Sequence, residues 1–217
     1  MIAWLGRNRC GALLAVLCLL ILVDPLVAMS DWISLALTFL LLASLLLVAW
    51  SLGLRRSLLL VLVVLGLIVA AVLFQSPEAS HWGWVVAEAA LTSFTAIVAI
   101  CLLQYVLNRA AITADKVFAA IDVYVLIGFT FASLFTFLEL VQPNAFHVAV
   151  PGIEGQMSWV QMMYFSFTVL TTTGFGEITP ATNMARSLIV IEQVLGVMYV
   201  AFLIARLVNL YGRDRQR

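Results

Sequence analysis

Charge is scarce in this chain. Its 217 residues include 11 basic and 11 acidic side chains, 10% in all, with a formal net charge of zero. A soluble domain has about a quarter of its residues charged and about half apolar. Here 65% are hydrophobic and the mean hydropathy is +1.14. A soluble core of this size cannot cover so much apolar surface, so the composition indicates an integral membrane protein. The lack of positive excess removes the electrostatic basis for nucleic-acid binding. Cysteine is also sparse. Cys10, Cys18 and Cys101 are too few and too scattered for a disulfide framework or a zinc site, and are expected to pack as small hydrophobes. His81 and His147 flank apolar runs in expected loops and read as solvated residues, not as a metal pair.

What the chain has in abundance is long apolar runs. They extend from Cys10 to Ala28, where Asp24-Pro25 interrupts, from Trp32 to Trp50, from Leu58 to Phe74, from about Trp84 to Leu107, from about Val117 to Val141, and from about Met184 to Tyr211. Barrel strands would be about half as long and polar at every second residue. The pattern predicts an all-α membrane protein with six transmembrane helices. Its parts are four peripheral helices over 1–110 and a second unit over 111–217.

Basic residues set the expected orientation. Arg7 and Arg9 precede the first run, Arg55 and Arg56 follow the second, Arg109 and Lys116 follow the fourth, and Arg206, Arg213, Arg215 and Arg217 end the last. With six spans and both termini in the cytoplasm, all of these face inward and only Arg186 faces out. Asp24, Asp31, Glu78, Glu139, Glu154 and Glu177 fall on the outer side. This satisfies the positive-inside rule. The first run, ending in Leu26-Val27-Ala28, also has the form of a cleavable signal peptide. Cleavage would leave five spans with the other orientations unchanged. A retained helix is the expectation here.

The connection between the last two runs, about Gln142 to Asn183, is the distinctive part. After a loop containing Pro143, Pro151, Gly152 and Gly155, the stretch Ser158 to Leu170 reads as a helix with Ser158 as its N-cap. Its length of about 20 Å is too short for a hydrocarbon core of about 30 Å. An apolar helix that goes in and cannot cross must turn back. It is followed by Thr171-Thr172-Thr173-Gly174-Phe175-Gly176-Glu177-Ile178-Thr179-Pro180. Two glycines spaced by one residue permit backbone angles closed to other residues. Irregular backbone at membrane depth is tolerated only where it is buried in protein or lines a watery cavity. A row of carbonyl and hydroxyl oxygens suits a hard cation stripped of water. The C-terminal end of the short helix would add partial negative charge aimed at the pore axis.

This string resembles the selectivity filter of potassium channels, T-V-G-Y-G-D. Thr172 falls on the filter threonine, Thr173 on the valine, and Gly174 and Gly176 on the two glycines. Phe175 stands in place of tyrosine, and Glu177 in place of aspartate. Tyr164-Phe165-Ser166-Phe167 before it resembles the family, as do Ile178-Thr179-Pro180 after it. So do Glu192-Gln193-Val194-Leu195-Gly196 and Ala205-Arg206-Leu207-Val208 of the last run. The likeness covers about Val117 to Tyr211 and is to six-helix bacterial members of the two-helix-plus-pore-loop ion channel family, without voltage-sensor arginines.

The resemblance implies a re-entrant pore helix and filter between the fifth and sixth spans, with potassium ions as the permeant ligand. They would be held at Thr172, Thr173, Gly174 and Phe175, by carbonyl rings that replace the hydration shell. Gly176 would complete the filter and Glu177 would stand at the outer mouth. It also implies a homotetramer in a bacterial-type inner membrane, with membrane lipids as the other partners, no cofactor and no catalysis. The departures at Thr173, Phe175 and Glu177 leave a weakly selective or non-selective cation channel as the alternative. An intramembrane enzyme would need convergent catalytic groups. The spans carry no serine–histidine pair, no H-E-x-x-H and no clustered carboxylates. A secondary transporter would need an internal repeat and a second broken helix, and neither is present.

Other polar residues carry further expectations. Glu88 and Glu192 read as lying near the outer ends of their helices, and Asp122 near the inner end of its own. They are expected to be interfacial or ion-paired, Asp122 with Arg206 for example. The functional alternative is a proton sensor or an ion-attracting ring. Gly196 is either an inner-helix hinge or a close-packing residue. Tyr199, Val200 and Leu203 beyond it are candidates for lining the inner pore. The fourth run contains no Lys or Arg, so steep voltage gating is not expected.

Overall fold

The structure, a computed structural model, describes residues 9–27, 31–74, 80–108, 113–149 and 157–214. Six long helices follow the apolar runs: α1 (Arg9–Val27), α2 (Asp31–Ser51), α3 (Arg56–Phe74), α4 (His81–Leu107), α5 (Ala114–Val141) and, after a shorter helix, α7 (Asn183–Asp214). The shorter helix is α6 (Trp159–Leu170). Among the described residues, α3, α4, α5 and α7 through Arg206 are long and apolar enough to cross a membrane by length and composition. The chain is therefore an integral membrane protein. α1 and α2 have 19 and 21 residues and are apolar over Arg9–Val23 and Ala36–Ser51.

Four expectations need correction. Asp24-Pro25 does not interrupt the first run, because α1 continues to Val27. α5 begins at Ala114, earlier than the apolar run suggested, because Thr113 caps it by accepting from the Lys116 N–H. The fold is also not purely helical. β1 (Phe146–Val148) and β2 (Ile178–Pro180) form an antiparallel ribbon in the register Phe146–Pro180, His147–Thr179, Val148–Ile178. Three-residue strands carry too little alternation to register in a sequence. His147 lies in β1 and His81 opens α4, so neither is a loop residue. The charges at Arg7, Glu78, Arg109, Glu154, Arg215 and Arg217 lie outside the described residues.

α5 is the hub. It packs against α1, α4, α6 and α7. One apolar core joins Leu13 and Leu17 of α1, Leu45 of α2, Phe94 and Leu102 of α4, and Leu126 and Phe129 of α5. A second surrounds the ribbon, with Phe135, Phe146, Met162, Phe165, Ile178 and Ile189. Burying such side chains against one another stabilises by roughly 1.5–3 kcal/mol each when the alternative is water. In a membrane the gain comes instead from van der Waals packing, interhelical hydrogen bonds and lipid entropy.

Polar contacts sort the two ends of the bundle. At one end the Arg9 guanidinium donates to the Ser51 carbonyl (2.7 Å) and Asp115 accepts from the Cys10 N–H (2.9 Å). At that same end Lys116 and Arg206 both donate to the Asn108 carbonyl, at 3.0 and 3.1 Å. At the other end Glu139 accepts from the Asn144 and Phe146 N–H groups, fixing the turn into β1. Arg9, Lys116 and Arg206 thus gather at the end of the bundle where α1 and α5 begin and the last part of α7 reaches the Asn108 carbonyl. Cys10 is buried as expected, whereas Cys18 is exposed on the outer face of α1.

Candidate functional site: the α6–α7 connection

α6 is short and tightly anchored. Ser158 and Gln161 form a reciprocal capping box, with Ser158 Oγ accepting from the Gln161 N–H and Gln161 Oε1 accepting from the Ser158 N–H. This satisfies two of the helix's orphan donors. Trp159 stacks on Phe129 with ring centroids 5.7 Å apart, and Phe165 packs among Phe135 and Phe146, each at 5.5 Å. Twelve residues give a helix of about 18 Å, which cannot span a bilayer. α6 ends at Leu170, and Thr171 turns the chain away.

The next residues have an unusual backbone. φ is +58° at Thr172, +53° at Gly174 and +90° at Gly176. Left-handed φ therefore recurs at every second residue, and alternating handedness turns successive peptide groups to a common side. The N–H groups on one side are held. Thr172 N–H donates to the Val169 carbonyl (2.9 Å), and Thr173 and Gly174 N–H donate to the Thr168 carbonyl (2.9 and 3.1 Å). Among the described residues no hydrogen bond is accepted by the carbonyls of Thr171, Thr172, Thr173, Gly174, Phe175 or Gly176. All six residues are exposed. A left-handed threonine costs roughly 1–2 kcal/mol, and such strain clusters at ligand clamps. Here it is maintained by the bonds back to α6.

The far end is fixed independently. The Glu177 carbonyl accepts from Ala149 N–H (2.7 Å), and β2 pairs with β1 directly after it. The carboxylate of Glu177 accepts from the Tyr164 hydroxyl at 2.5 Å, and the Phe175 ring lies parallel to Tyr164 at 6.4 Å. Tyr164 was legible only as part of the family-like string. Its bond to a residue 13 positions later has no local signal. Thr173 pairs its hydroxyl with that of Thr171 at 2.9 Å.

The glycines divide into two kinds. At Gly174 and Gly176 an added Cβ would meet nothing within 4 Å, so only their backbone angles exclude side chains. At Gly196 an added Cβ would strike the carbonyl oxygen of Leu170 and lie 3.0 Å from Leu170 Cδ1. α7 is continuously helical through this point. Gly196 thus brings α7 close against the C-terminal end of α6, directly behind Thr171.

Several sequence expectations fail here. Glu192 is not interfacial. It is fully buried, with Oε1 on Ser166 Oγ and Oε2 without a partner. Asp122 is not paired with Arg206. Both of its oxygens are buried without a hydrogen bond, and Arg206 reaches the Asn108 carbonyl instead. The carbonyl of Asn108, the residue that caps the end of α4, takes the cation. Glu88 likewise has a buried, unpartnered Oε2. Tyr199 turns toward α5, donating to the Ala120 carbonyl (2.6 Å) and stacking on Tyr124 at 6.0 Å. Leu203 packs on the core of the peripheral helices, and Val200 is exposed. No group of three or more His, Cys, Asp or Glu side chains suited to a metal occurs among the described residues.

Residues 123–213 match the family model described as Ion channel. The matched segment starts within α5 and takes in the ribbon, α6, the left-handed segment and most of α7. It leaves residues 1–122 outside. Neither the curated proteins nor the solved structures give a match. The family match supports an ion channel of the pore-loop kind and points to a non-enzymatic role.

Proposed function

We propose that the protein is a potassium-selective channel that conducts passively through a tetrameric pore. The observation that carries this is the segment from Thr172 to Gly176. The N–H groups of Thr172, Thr173 and Gly174 are tied back to α6, while the carbonyls of the segment accept no hydrogen bond among the described residues and its residues are exposed. A single strand of carbonyls cannot surround an ion. Four copies about one axis would form stacked oxygen rings at Thr172, Thr173, Gly174 and Phe175, with the Thr172 hydroxyl adding the innermost position. Such rings replace the hydration shell of a cation. Held from behind, the carbonyls need little reorganisation when an ion arrives.

Val190, Ile191, Val194, Val197 and Met198 of α7 are each about half exposed and recur at helix spacing on one face. In a closed fourfold arrangement this face meets neighbouring copies and the central cavity. The outward sides of α1 to α4 meet membrane lipids. Both termini lie on the cytoplasmic side of a bacterial-type inner membrane, where Arg9, Lys116 and Arg206 gather.

The test is flux in liposomes containing purified protein, potassium against sodium, with barium as a blocker. A large preference for potassium and block by barium are expected. Equal permeability would favour a weakly selective cation channel, a reading that the Thr171–Thr173 hydroxyl pair and the Tyr164–Glu177 bond would then have to explain. No flux of either ion would overturn the channel reading.

A further inference from the structure

Ser166 lies at the crossing of three helices. Its Oγ is 2.8 Å from the Gly128 carbonyl oxygen of α5 and 2.5 Å from Glu192 Oε1 of α7, and both Ser166 and Glu192 are fully buried. A serine hydroxyl has one proton to donate and two lone pairs that accept. A carbonyl oxygen can only accept, so the Gly128 contact is a hydrogen bond only when the one Ser166 proton is directed to it. The contact with Glu192 is then a hydrogen bond only if Glu192 supplies the proton. An ionised Glu192 would claim the Ser166 proton for itself and leave two oxygens facing each other at the Gly128 contact.

The surroundings agree with a neutral group. Oε2 of Glu192 is buried and has no partner, a position that an anion would occupy only at heavy cost. Among the described residues, the groups facing Glu192 are Ser166 from α6 and the titratable Tyr124 from α5, whose own hydroxyl lies 3.4 Å from the Leu170 carbonyl. No lysine, arginine or histidine pairs with Glu192 among the described residues.

We propose that Glu192 is a neutral carboxylic acid that donates to Ser166, which in turn donates to Gly128, so that one chain of protons pins α6 between α5 and α7. Glu192 is a positioning residue. It touches no permeant ion and acts through Ser166 on the helix whose Thr168 and Val169 carbonyls hold the Thr172–Gly174 backbone. The packing reinforces the choice of register, since an added Cβ at Gly128 would come within 2.8 Å of the Phe167 ring of α6. Losing the proton reverses the Ser166 bond and releases α5 from the chain. The conducting geometry therefore depends on protonation at a point remote from the filter. This last step rests on the channel reading above, whereas the proton assignment does not.

The experiment pairs two measurements on the full-length protein in lipid. Infrared difference spectra between the wild type and E192Q read the C=O stretch of a protonated buried carboxyl whether or not the protein conducts. Potassium flux is followed from mildly acid to strongly alkaline pH for the wild type, E192Q, E192A and S166A. Expected are an acid-carboxyl band lost in E192Q, wild-type flux that falls at alkaline pH, and E192Q flux close to wild type without that fall. The Gln amide keeps a donor for Ser166, so E192A and S166A should lose at least tenfold where E192Q does not. A carboxylate band in place of the acid band overturns the proposal, and so does equal loss in E192Q and E192A. An intact acid band with no flux in the wild type supports the proton assignment and overturns the channel reading alone.

Discussion

Replacing Gly196 by alanine separates two roles that a glycine in this helix can have. Alanine is favoured over glycine inside a helix by about 1 kcal/mol. A glycine kept only for bending would therefore give a more stable protein when replaced, with impaired opening. The geometry predicts otherwise. The new Cβ strikes the Leu170 carbonyl oxygen, lies 3.0 Å from Leu170 Cδ1 and 3.3 Å from the Leu170 carbonyl carbon. A backbone atom cannot rotate away, so α7 or the end of α6 must move. Overpacking of this kind costs about 1–3 kcal/mol. Set against the propensity gain, the net effect runs from about zero to about 2 kcal/mol of destabilisation per chain. Gly66 of α3 is the control, because an added Cβ there meets nothing within 4 Å. Gly66→Ala should show the propensity gain unopposed.

The assay is thermal unfolding of both variants in one detergent, followed by potassium flux. Gly196→Ala is expected to melt below Gly66→Ala and to lose flux, since Leu170 lies two residues before the Thr172–Gly176 segment. Equal melting temperatures with wild-type flux and selectivity would refute the close contact between α7 and α6. Higher stability with impaired opening would restore the hinge.

Gly174→Ala and Gly176→Ala should abolish potassium selectivity while leaving membrane insertion intact, because the L-residue is strained at +53° and +90° although there is room for its side chain; full selective flux from either would remove the filter assignment. Thr172→Ala should keep conduction through the backbone carbonyl and weaken barium block by removing the innermost hydroxyl, and unchanged block would place the deepest ion elsewhere. Voltage should gate the channel weakly, because α4 contains no Lys or Arg. Each charge crossing 100 mV contributes about 2.3 kcal/mol, and steep gating uses about three to four charges per subunit. An open probability rising steeply over tens of millivolts in a planar bilayer, with no blocking ion present, would contradict this.

The sequence by itself determined the elements that depend on local chemistry. Continuous apolarity over helix lengths set the long helices, because backbone polar groups in hydrocarbon must bond within their own segment. Ser158 as N-cap marked the start of α6, whose length ruled out a crossing, and the structure added Gln161 as the other half of its capping box. The spacing of Gly174 and Gly176 marked where the chain departs from ordinary angles, and the left-handed Thr172 extends that alternation by one residue. What only the tertiary structure decided are the contacts between helices. Glu192 reads as a helix-end acid until α6 is laid against it, and its meaning depends on Ser166, 26 positions earlier, and on Gly128, 38 before that serine. Asp122 and Arg206 look like partners in a linear chain, but the end of α4 offers Arg206 a carbonyl instead. Tyr199 looks pore-lining until the rotation of α7 turns it onto Tyr124. Gly196 stayed balanced between hinge and packing until the Leu170 carbonyl was placed beside it. Helix rotation and register are set by which side chains meet across an interface, and no single run of residues contains that information.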